Sequence, residues 1–147
     1  MKTYMKIIIF SVIIGTILAI FFYKDIKKEV NAITRRDDII YIFQVGVFTN
    51  VENALEFQKE YDYSIIYQDN EYYRVLVGVS TTSLAKEVLI NYFNQTIGDY
   101  YIKEIRVNKD LINELASLES VILKTNKAEV IANINKSMLK TFGTYNN

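Results

Sequence analysis

The N-terminal part of the chain is marked by a run of residues without charge. Residues 7–23 contain no charged side chain, and a helix of that length would span roughly 26 Å, enough to cross the hydrocarbon core of a bilayer. The run ends in two phenylalanines and a tyrosine, where a signal peptidase would need small residues. We therefore predict a short tail at residues 1–6, an uncleaved transmembrane helix at residues 7–23 and a polar stalk at residues 24–38.

Residues 39–107 contain a repeated pattern of strand, turn and helix. The segment QVGVFT recurs 32 residues later as LVGVST, and a regular period of this kind indicates two copies of one supersecondary unit. Thr49 and Glu52 have the spacing of a capping box at the start of the first helix, and Thr82 or Ser83 can cap the second. Apolar residues at helical spacing follow each cap. We expect the second helix to bury Leu84, Ala85, Val88, Leu89 and Tyr92.

Each predicted helix is followed by a further strand pattern. Residues 63–67 (YSIIY) lead through a polar turn at residues 68–71 into the next strand, which indicates a hairpin. Residues 100–107 (YYIKEIRV) form a fourth strand pattern after Gly98, a plausible end for the second helix. The order is β-α-β-β-α-β, which predicts an α+β, ferredoxin-like split βαβ fold with a four-stranded antiparallel sheet and both helices on one face. The other face is expected to be open to a ligand.

Two amphipathic patterns follow this module. Asn108 can cap a first helix, and residues 108–142 carry one apolar stripe in each helical pattern. The two helices form a hairpin on the module or on each other, fuse into one long helix, or contact a protein partner. We favour the hairpin, because a sustained heptad repeat is missing. Residues 143–147 are expected to be a disordered tail.

Composition and charge limit the function classes. The chain has 147 residues, with no histidine and no cysteine. This excludes the usual nucleophile–base pairs and soft-metal sites, so we predict a protein that is not an enzyme and has no cofactor and no metal. Residues 38–107 carry five basic and ten acidic side chains. The resulting net charge of −5 repels phosphate backbones, so nucleic acid is not an expected partner.

The motifs of the two copies are similar to those of a known family. FQVGVF at residues 43–48 is followed by Asn53 and Ala54, and YRVLVG at residues 73–78 is followed by Ala85. In these residues the chain resembles the SPOR (sporulation-related repeat) domain. SPOR domains are ferredoxin-like modules that bind peptidoglycan glycan strands, preferring denuded strands from which amidases have removed the stem peptides, and this recruits them to division septa. The resemblance implies a single-pass membrane protein that binds peptidoglycan at the bacterial division or sporulation septum.

Membrane orientation follows from the resemblance and not from the charges. Lysine and arginine are more numerous just after the apolar run than before it, which favours a cytoplasmic C-terminal part. Long segments, however, cross membranes largely regardless of charge. The resemblance implies that the C-terminal domain is extracytoplasmic. The alternative function is a membrane scaffold of the cell envelope that binds another protein, through the module and the C-terminal helices, and has no glycan affinity.

The expected open face carries side chains suited to a sugar. Glutamine and arginine can bond hydroxyl or carboxylate groups, tyrosine can cover a ring face, and glycine lets a chain approach the backbone closely. The first and third strands supply these types by alternation, and for the fourth strand, whose phase is open, we assign Tyr101 and Lys103 to this face. The predicted glycan-binding residues are Gln44, Gly46, Tyr72, Arg74, Leu76, Gly78, Tyr101 and Lys103.

Arg74 has two interpretations. Its planar guanidinium can take the lactyl carboxylate of a denuded muramic sugar in two hydrogen bonds. Alternatively it pairs with Glu71 or Glu104 and does not contact the glycan.

Overall fold

The computed structural model describes residues 39–146. The predicted tail (residues 1–6), transmembrane helix (residues 7–23) and stalk (residues 24–38) lie outside the described residues. Within residues 39–146, no helix is both long enough and apolar enough to cross a membrane.

The described residues form an α+β structure with one antiparallel sheet and four helices. The sheet has the strand order β2-β3-β1-β4, and every neighbouring pair is antiparallel. Along the chain the order is β1-α1-β2-β3-α2-β4-α3-α4. The predicted class, the four-stranded antiparallel sheet and the order of its first six elements are confirmed. The elements are β1 (Ile39–Phe48), α1 (Val51–Gln58), β2 (Ile65–Asp69), β3 (Tyr72–Ser80), α2 (Ser83–Thr96), β4 (Tyr101–Arg106), α3 (Lys109–Ile122) and α4 (Ala128–Asn146).

Polar side chains cap the first three helices. Thr82 Oγ1 and Asn108 Oδ1 each accept a hydrogen bond from a backbone N–H in the first turn of α2 and α3, as predicted. The cap of α1 is Asn50, whose Oδ1 accepts from the backbone N–H of Asn53 at 3.1 Å. The predicted cap, Thr49, was wrong by one residue. The asparagine that follows it is also a favoured capping residue and accepts the hydrogen bond from the first turn instead.

The first face of the sheet packs against α1 and α2. The Phe43 ring of β1 contacts the Phe93 ring of α2, with 5.1 Å between ring centroids. Phe93 is buried although the predicted stripe of α2 omitted it, and Leu84, which that stripe included, is half exposed. The buried stripe of α2 therefore lacks Leu84 at the start of the helix and includes Phe93 near its end. Ala85 and Leu89 are buried as predicted.

The second face of the sheet is covered by α3 and α4, and the prediction that it is open was wrong. Ile42 points away from its neighbour Phe43, and it is fully buried together with Leu76. Both belong to one core cluster with apolar residues of α3 and α4. On β2, the Tyr67 ring contacts the Phe142 ring of α4 at a centroid distance of 5.4 Å. The two C-terminal helices thus form the predicted hairpin on the module, and residues 123–127 separate them.

Two polar contacts fix this hairpin on β3 and the turn that follows it. The carboxylate of Glu119 on α3 is buried and accepts hydrogen bonds from Ser80 Oγ at 2.7 Å, from the backbone N–H of Thr81 at 2.8 Å and from Thr81 Oγ1. On α4, Asn135 Nδ2 donates to the carbonyl oxygen of Val77 at 2.7 Å. Backbone groups at the C-terminal end of β3, beyond the reach of the shorter β2, are thereby satisfied.

The last residues of the chain differ from the expected disordered tail. Helix α4 continues to Asn146. Gly143 lies against β2, since a Cβ at this position would be 3.7 Å from Ile65 Cδ1. Tyr145 Oη donates to Glu114 Oε1 at 2.6 Å. Contacts with β2 and α3 therefore extend the helix past Phe142.

Irregular pairing between β1 and β3 changes the direction of two glycines. The register shifts between Phe43 and Gln44, and again between Gln44 and Gly46. Such bulges break the simple alternation of faces. A Cβ on Gly46 would lie 2.8 Å from the Phe57 ring of α1, and a Cβ on Gly78 would lie 2.7 Å from the Phe93 ring of α2. Both glycines therefore face the helices, and their predicted position on the ligand-binding face was wrong.

Candidate functional site

A group of polar side chains lies on the second face, beside the apolar residues under α3 and α4. The strands bring the group together, because Tyr67 lies opposite Arg74 and Gln44 lies opposite Tyr101. Asp69 follows two residues after Tyr67, at the end of β2. We call Gln44, Asp69, Arg74 and Lys103 the polar cluster.

The polar cluster is joined by three short contacts. Arg74 Nε donates to Asp69 Oδ2 at 2.8 Å, and Arg74 Nη1 donates to Gln44 Oε1 at 2.9 Å. Lys103 Nζ, reaching across the face from β4, donates to the same Asp69 Oδ2 at 2.6 Å. The side chains of Arg74 and Lys103 are 13% and 34% exposed. One carboxylate therefore binds two cations in a partly desolvated setting.

The pKa of the Asp69 carboxyl is lowered from its ordinary value. The main cause is the hydrogen bond from Lys103, and the hydrogen bond from Arg74 acts in the same direction. Desolvation of the carboxylate opposes both. Asp69 thus stays ionised at neutral pH, and it neutralises part of the positive charge of the two basic side chains.

Two exposed tyrosines lie beside the polar cluster. Tyr72 is 45% exposed and Tyr101 is 63% exposed. The guanidinium carbon of Arg74 lies 5.9 Å from the centroid of the Tyr72 ring. Tyr101 is paired with Gln44 across β1 and β4. The cluster therefore has an accessible aromatic ring on β3 and another on β4.

The structure brings five of the eight predicted residues together. Gln44, Tyr72, Arg74, Tyr101 and Lys103 share the second face, which includes the two side chains of the fourth strand whose phase the sequence left open. The remaining three do not line the site. Leu76 is fully buried in the core, and Gly46 and Gly78 face α1 and α2.

Asp69 is the central residue that sequence reasoning missed. Its position within the polar run at residues 68–71 suggested a turn. In the structure it is the last residue of β2 and pairs with Arg74, for which Glu71 or Glu104 had been the alternative to a glycan carboxylate. The hairpin register offered a signal, since a carboxylate near the end of β2 lies close to a cation near the start of β3.

The side chains of the polar cluster can offer hydrogen bonds and charge to a ligand. Among residues 39–146 there is no group of three or more His, Cys, Asp or Glu side chains that could hold a metal ion. Because Arg74 already contacts Asp69 and Gln44, an anionic ligand would have to compete with a carboxylate in place. The arrangement suits a ligand that is rich in hydroxyl and amide groups and has apolar ring faces.

We compared the chain with protein-family models, with curated proteins and with solved structures, and none of the three comparisons found a match. The resemblance to SPOR domains is thus a prediction from the motifs of the two sequence copies. The function is inferred from those motifs and from the geometry of the polar cluster.

Proposed function

We propose that the chain is a non-catalytic, peptidoglycan-binding protein of the bacterial cell envelope. In this proposal its ferredoxin-like, SPOR-like module, anchored by the apolar run at residues 7–23, lies outside the cytoplasmic membrane and targets the protein to the division or sporulation septum. The observation that carries the proposal is the hydrogen-bonded polar cluster flanked by exposed Tyr72 and Tyr101.

The strand order supports the module's assignment. A β-α-β-β-α-β chain with the order β2-β3-β1-β4 has the arrangement of ferredoxin-like folds. The strand order of this chain and its sequence motifs therefore support the same class of module.

The polar cluster has features that favour a neutral glycan. Gln44 accepts through Oε1, so its Nε2 is the donor that remains for a sugar hydroxyl or an acetamide carbonyl, and with the residue 8% exposed only the edge of this amide meets a ligand. Side chains that are already fixed by mutual hydrogen bonds lose little conformational freedom on binding. The rings of Tyr72 and Tyr101 offer apolar surface to the C–H faces of sugars. In this proposal Asp69 orients Arg74. The polar cluster then binds sugar hydroxyl groups in preference to the lactyl carboxylate.

Co-sedimentation with purified peptidoglycan sacculi tests the proposal. The full chain, purified in mild detergent, is expected to sediment with sacculi, and more strongly after an amidase has removed the stem peptides. Tyr72→Ala and Tyr101→Ala should each weaken binding by roughly three- to tenfold. Tyr145→Ala is the matched control, because Tyr145 is similarly exposed but lies on α4. If the unsubstituted chain does not sediment, or if the control loses binding equally, the glycan proposal is wrong.

A scaffold without glycan affinity is the second candidate, and one observation favours it. Helices α3 and α4 bury Ile42 and Leu76 in the middle of the face that a SPOR-like module would present to its ligand. On this face the rings of Tyr72 and Tyr101 remain exposed for a glycan, whereas Gln44 is 8% exposed. A scaffold would leave sacculi in solution both before and after amidase treatment, and would instead be crosslinked to a membrane protein in intact cells.

A further inference from the structure

One end of the sheet brings together the start of β1, the turn between β3 and α2, and the end of α3. Tyr41 of β1 is paired with Ser80 at the end of β3. The Glu119 carboxylate of α3 accepts hydrogen bonds from the same Ser80 and from Thr81. We call this the entry end of the sheet, because β1 begins there at Ile39.

Three large apolar side chains are exposed at the entry end. Leu84 in the first turn of α2 is 50% exposed, although its sequence pattern predicted burial. Val121 in the last turn of α3 is 40% exposed, and Leu123, directly after α3, is 44% exposed. Leu123 lies one helical turn beyond Glu119. Leu84 is two residues beyond Thr82, whose backbone N–H also donates to Glu119. Apolar side chains that are exposed together, with polar residues around them, are typical of an interaction surface.

The connection between α3 and α4 adds positive charge to this apolar group. Residues 120–128 include Lys124 and Lys127 and no acidic side chain, and both lysines are exposed. Among residues 39–146, neither ammonium group forms a salt bridge. On α2, the opposite charges of Lys86 and Glu87 balance each other next to Leu84. The entry end therefore favours a partner that is both apolar and anionic.

An anionic membrane surface has this combination of properties. Leucine and valine side chains insert at the boundary between headgroups and acyl chains, while lysine ammonium groups remain beside the lipid phosphates. Only residues 24–38 separate the entry end from the apolar run at residues 7–23, which the proposed function takes as the membrane anchor. An anchor of that kind tethers the entry end of the sheet to the bilayer, and not the opposite end.

We infer that the entry end binds the surface of an anionic phospholipid bilayer. Leu84, Val121 and Leu123 insert at the level of the headgroups, and Lys124 and Lys127 bind lipid phosphates. The inference rests on the membrane anchor of the proposed function, and it adds an orientation of the module on the membrane.

The charges of the opposite end support this orientation. The turns before β3 and β4 lie there, and they carry exposed Glu71 and Asp99 without a lysine or arginine. An anionic surface repels these carboxylates. Tyr72 and Tyr101, the first residues of β3 and β4, are thereby directed away from the membrane and towards the glycan strands of the proposed function.

Fluorescence quenching in lipid nanodiscs tests the inference. The chain has no cysteine, so Asn126→Cys provides a single labelling site in the exposed connection between α3 and α4. Gln95→Cys provides a matched exposed site near the other end of α2. The full chain with either label is reconstituted into nanodiscs of phosphatidylcholine and phosphatidylglycerol whose acyl chains carry a shallow nitroxide quencher.

We expect the label at position 126 to lose roughly half of its fluorescence, because inserted side chains reach about 5–10 Å into the boundary region. The label at position 95 should keep its fluorescence. Equal quenching at the two positions, no quenching at position 126, or a full chain that does not incorporate into nanodiscs would overturn the inference.

Two double substitutions separate the apolar and the charged contributions. Leu84→Ser with Leu123→Ser should reduce the quenching at position 126 by at least about twofold. Lys124→Gln with Lys127→Gln should reduce it by about twofold, as should nanodiscs of phosphatidylcholine alone. Lys140→Gln is the matched control and should have no effect, because Lys140 is an exposed lysine near the end of α4. Unchanged quenching in both double variants would contradict the inference.

Glycan binding is tested separately, because sedimentation with sacculi in detergent requires no bilayer. The chain with Leu84→Ser and Leu123→Ser should sediment with sacculi like the unsubstituted chain, and its circular dichroism spectrum should be unchanged. If position 126 is crosslinked to a protein in intact cells while its label is not quenched in nanodiscs, the occupant is a protein and the inference is wrong.

Discussion

The ion pairs of Asp69 show what a single side chain contributes to the second face. Asp69 binds both Lys103 and Arg74, and Arg74 in turn contacts Gln44. Removing the carboxylate therefore leaves two cations close together with no counter-charge from residue 69. Since Arg74 and Lys103 are partly buried, water does not fully replace the interactions that they lose with the carboxylate.

This gives a prediction about pH. The folded-state pKa of Asp69 lies below its ordinary value of 3.8, so its ion pairs stabilise the fold above that value, and the stabilisation is lost as the pH falls through the folded-state pKa. Asp69→Asn should lower the free energy of unfolding by about 1–2 kcal/mol at pH 7, allowing for partial exposure. The difference between variant and unsubstituted chain should shrink as the pH falls below 3.8.

Urea denaturation at pH 7 and at low pH measures this difference. Asp62→Asn is a matched control, because Asp62 is an exposed carboxylate outside the polar cluster. A loss of stability in Asp69→Asn that is the same at both pH values would show that the effect is not electrostatic.

Single-residue directions were the least predictable part of the site from sequence. The alternation of β3 correctly placed Tyr72 and Arg74 on one face, because the strand is regular there. Gly46 and Gly78 were misplaced because the two bulges between β1 and β3 have no signature in the sequence. Asp69 was missed because its role depends on Lys103, which is 34 residues away.

At the level of elements, the repeat and the apolar patterns predicted the strands and helices well. Local signals decide these features: alternation for the strands, and Thr82 and Asn108 as caps for α2 and α3. The covering of the second face was not predicted: the hairpin was expected on the module or on itself, and this face was expected to be open. An apolar stripe shows that a helix must be covered, but it does not show which surface covers it.

Helix α3 is joined to the β3–α2 turn by one carboxylate, which gives a prediction about that contact. Glu119→Ala would leave the N–H and the hydroxyl of Thr81 without their acceptor in a buried setting, whereas Ser80 Oγ would keep the carbonyl oxygen of Thr82. We expect a loss of about 2–4 kcal/mol in the free energy of unfolding. Glu119→Gln keeps an acceptor oxygen and should lose less.

The measurement is urea denaturation followed by circular dichroism. Glu114→Ala is a matched control on the same helix, because Glu114 is exposed and its carboxylate accepts a hydrogen bond from Tyr145 at the surface. Equal stabilities of Glu119→Ala and the control would mean that the contacts of Glu119 add nothing to the docking of α3.

On the scale of the described structure as a whole, residues 39–146, the sheet lies between two helical layers. Helices α1 and α2 cover the first face, and α3 and α4 cover most of the second. The polar cluster is only partly accessible, because Gln44 in the middle of β1 is 8% exposed, whereas the rings of Tyr72 and Tyr101 beside it are exposed. A cavity of about 280 Å³ lies at another place where the two layers do not close, between α2 and α4.

The membrane orientation of the chain is the last prediction. If the module binds peptidoglycan, residues 39–146 must lie outside the cytoplasm, against the excess of lysine and arginine just after the apolar run. Alkaline phosphatase fused after Asn147 should therefore be active, because this enzyme folds only after export. A fluorescent protein that folds only in the cytoplasm should remain dark at the same position. The same two reporters fused before Met1 should give the opposite pattern. A fluorescent C-terminal fusion would exclude glycan binding as the function.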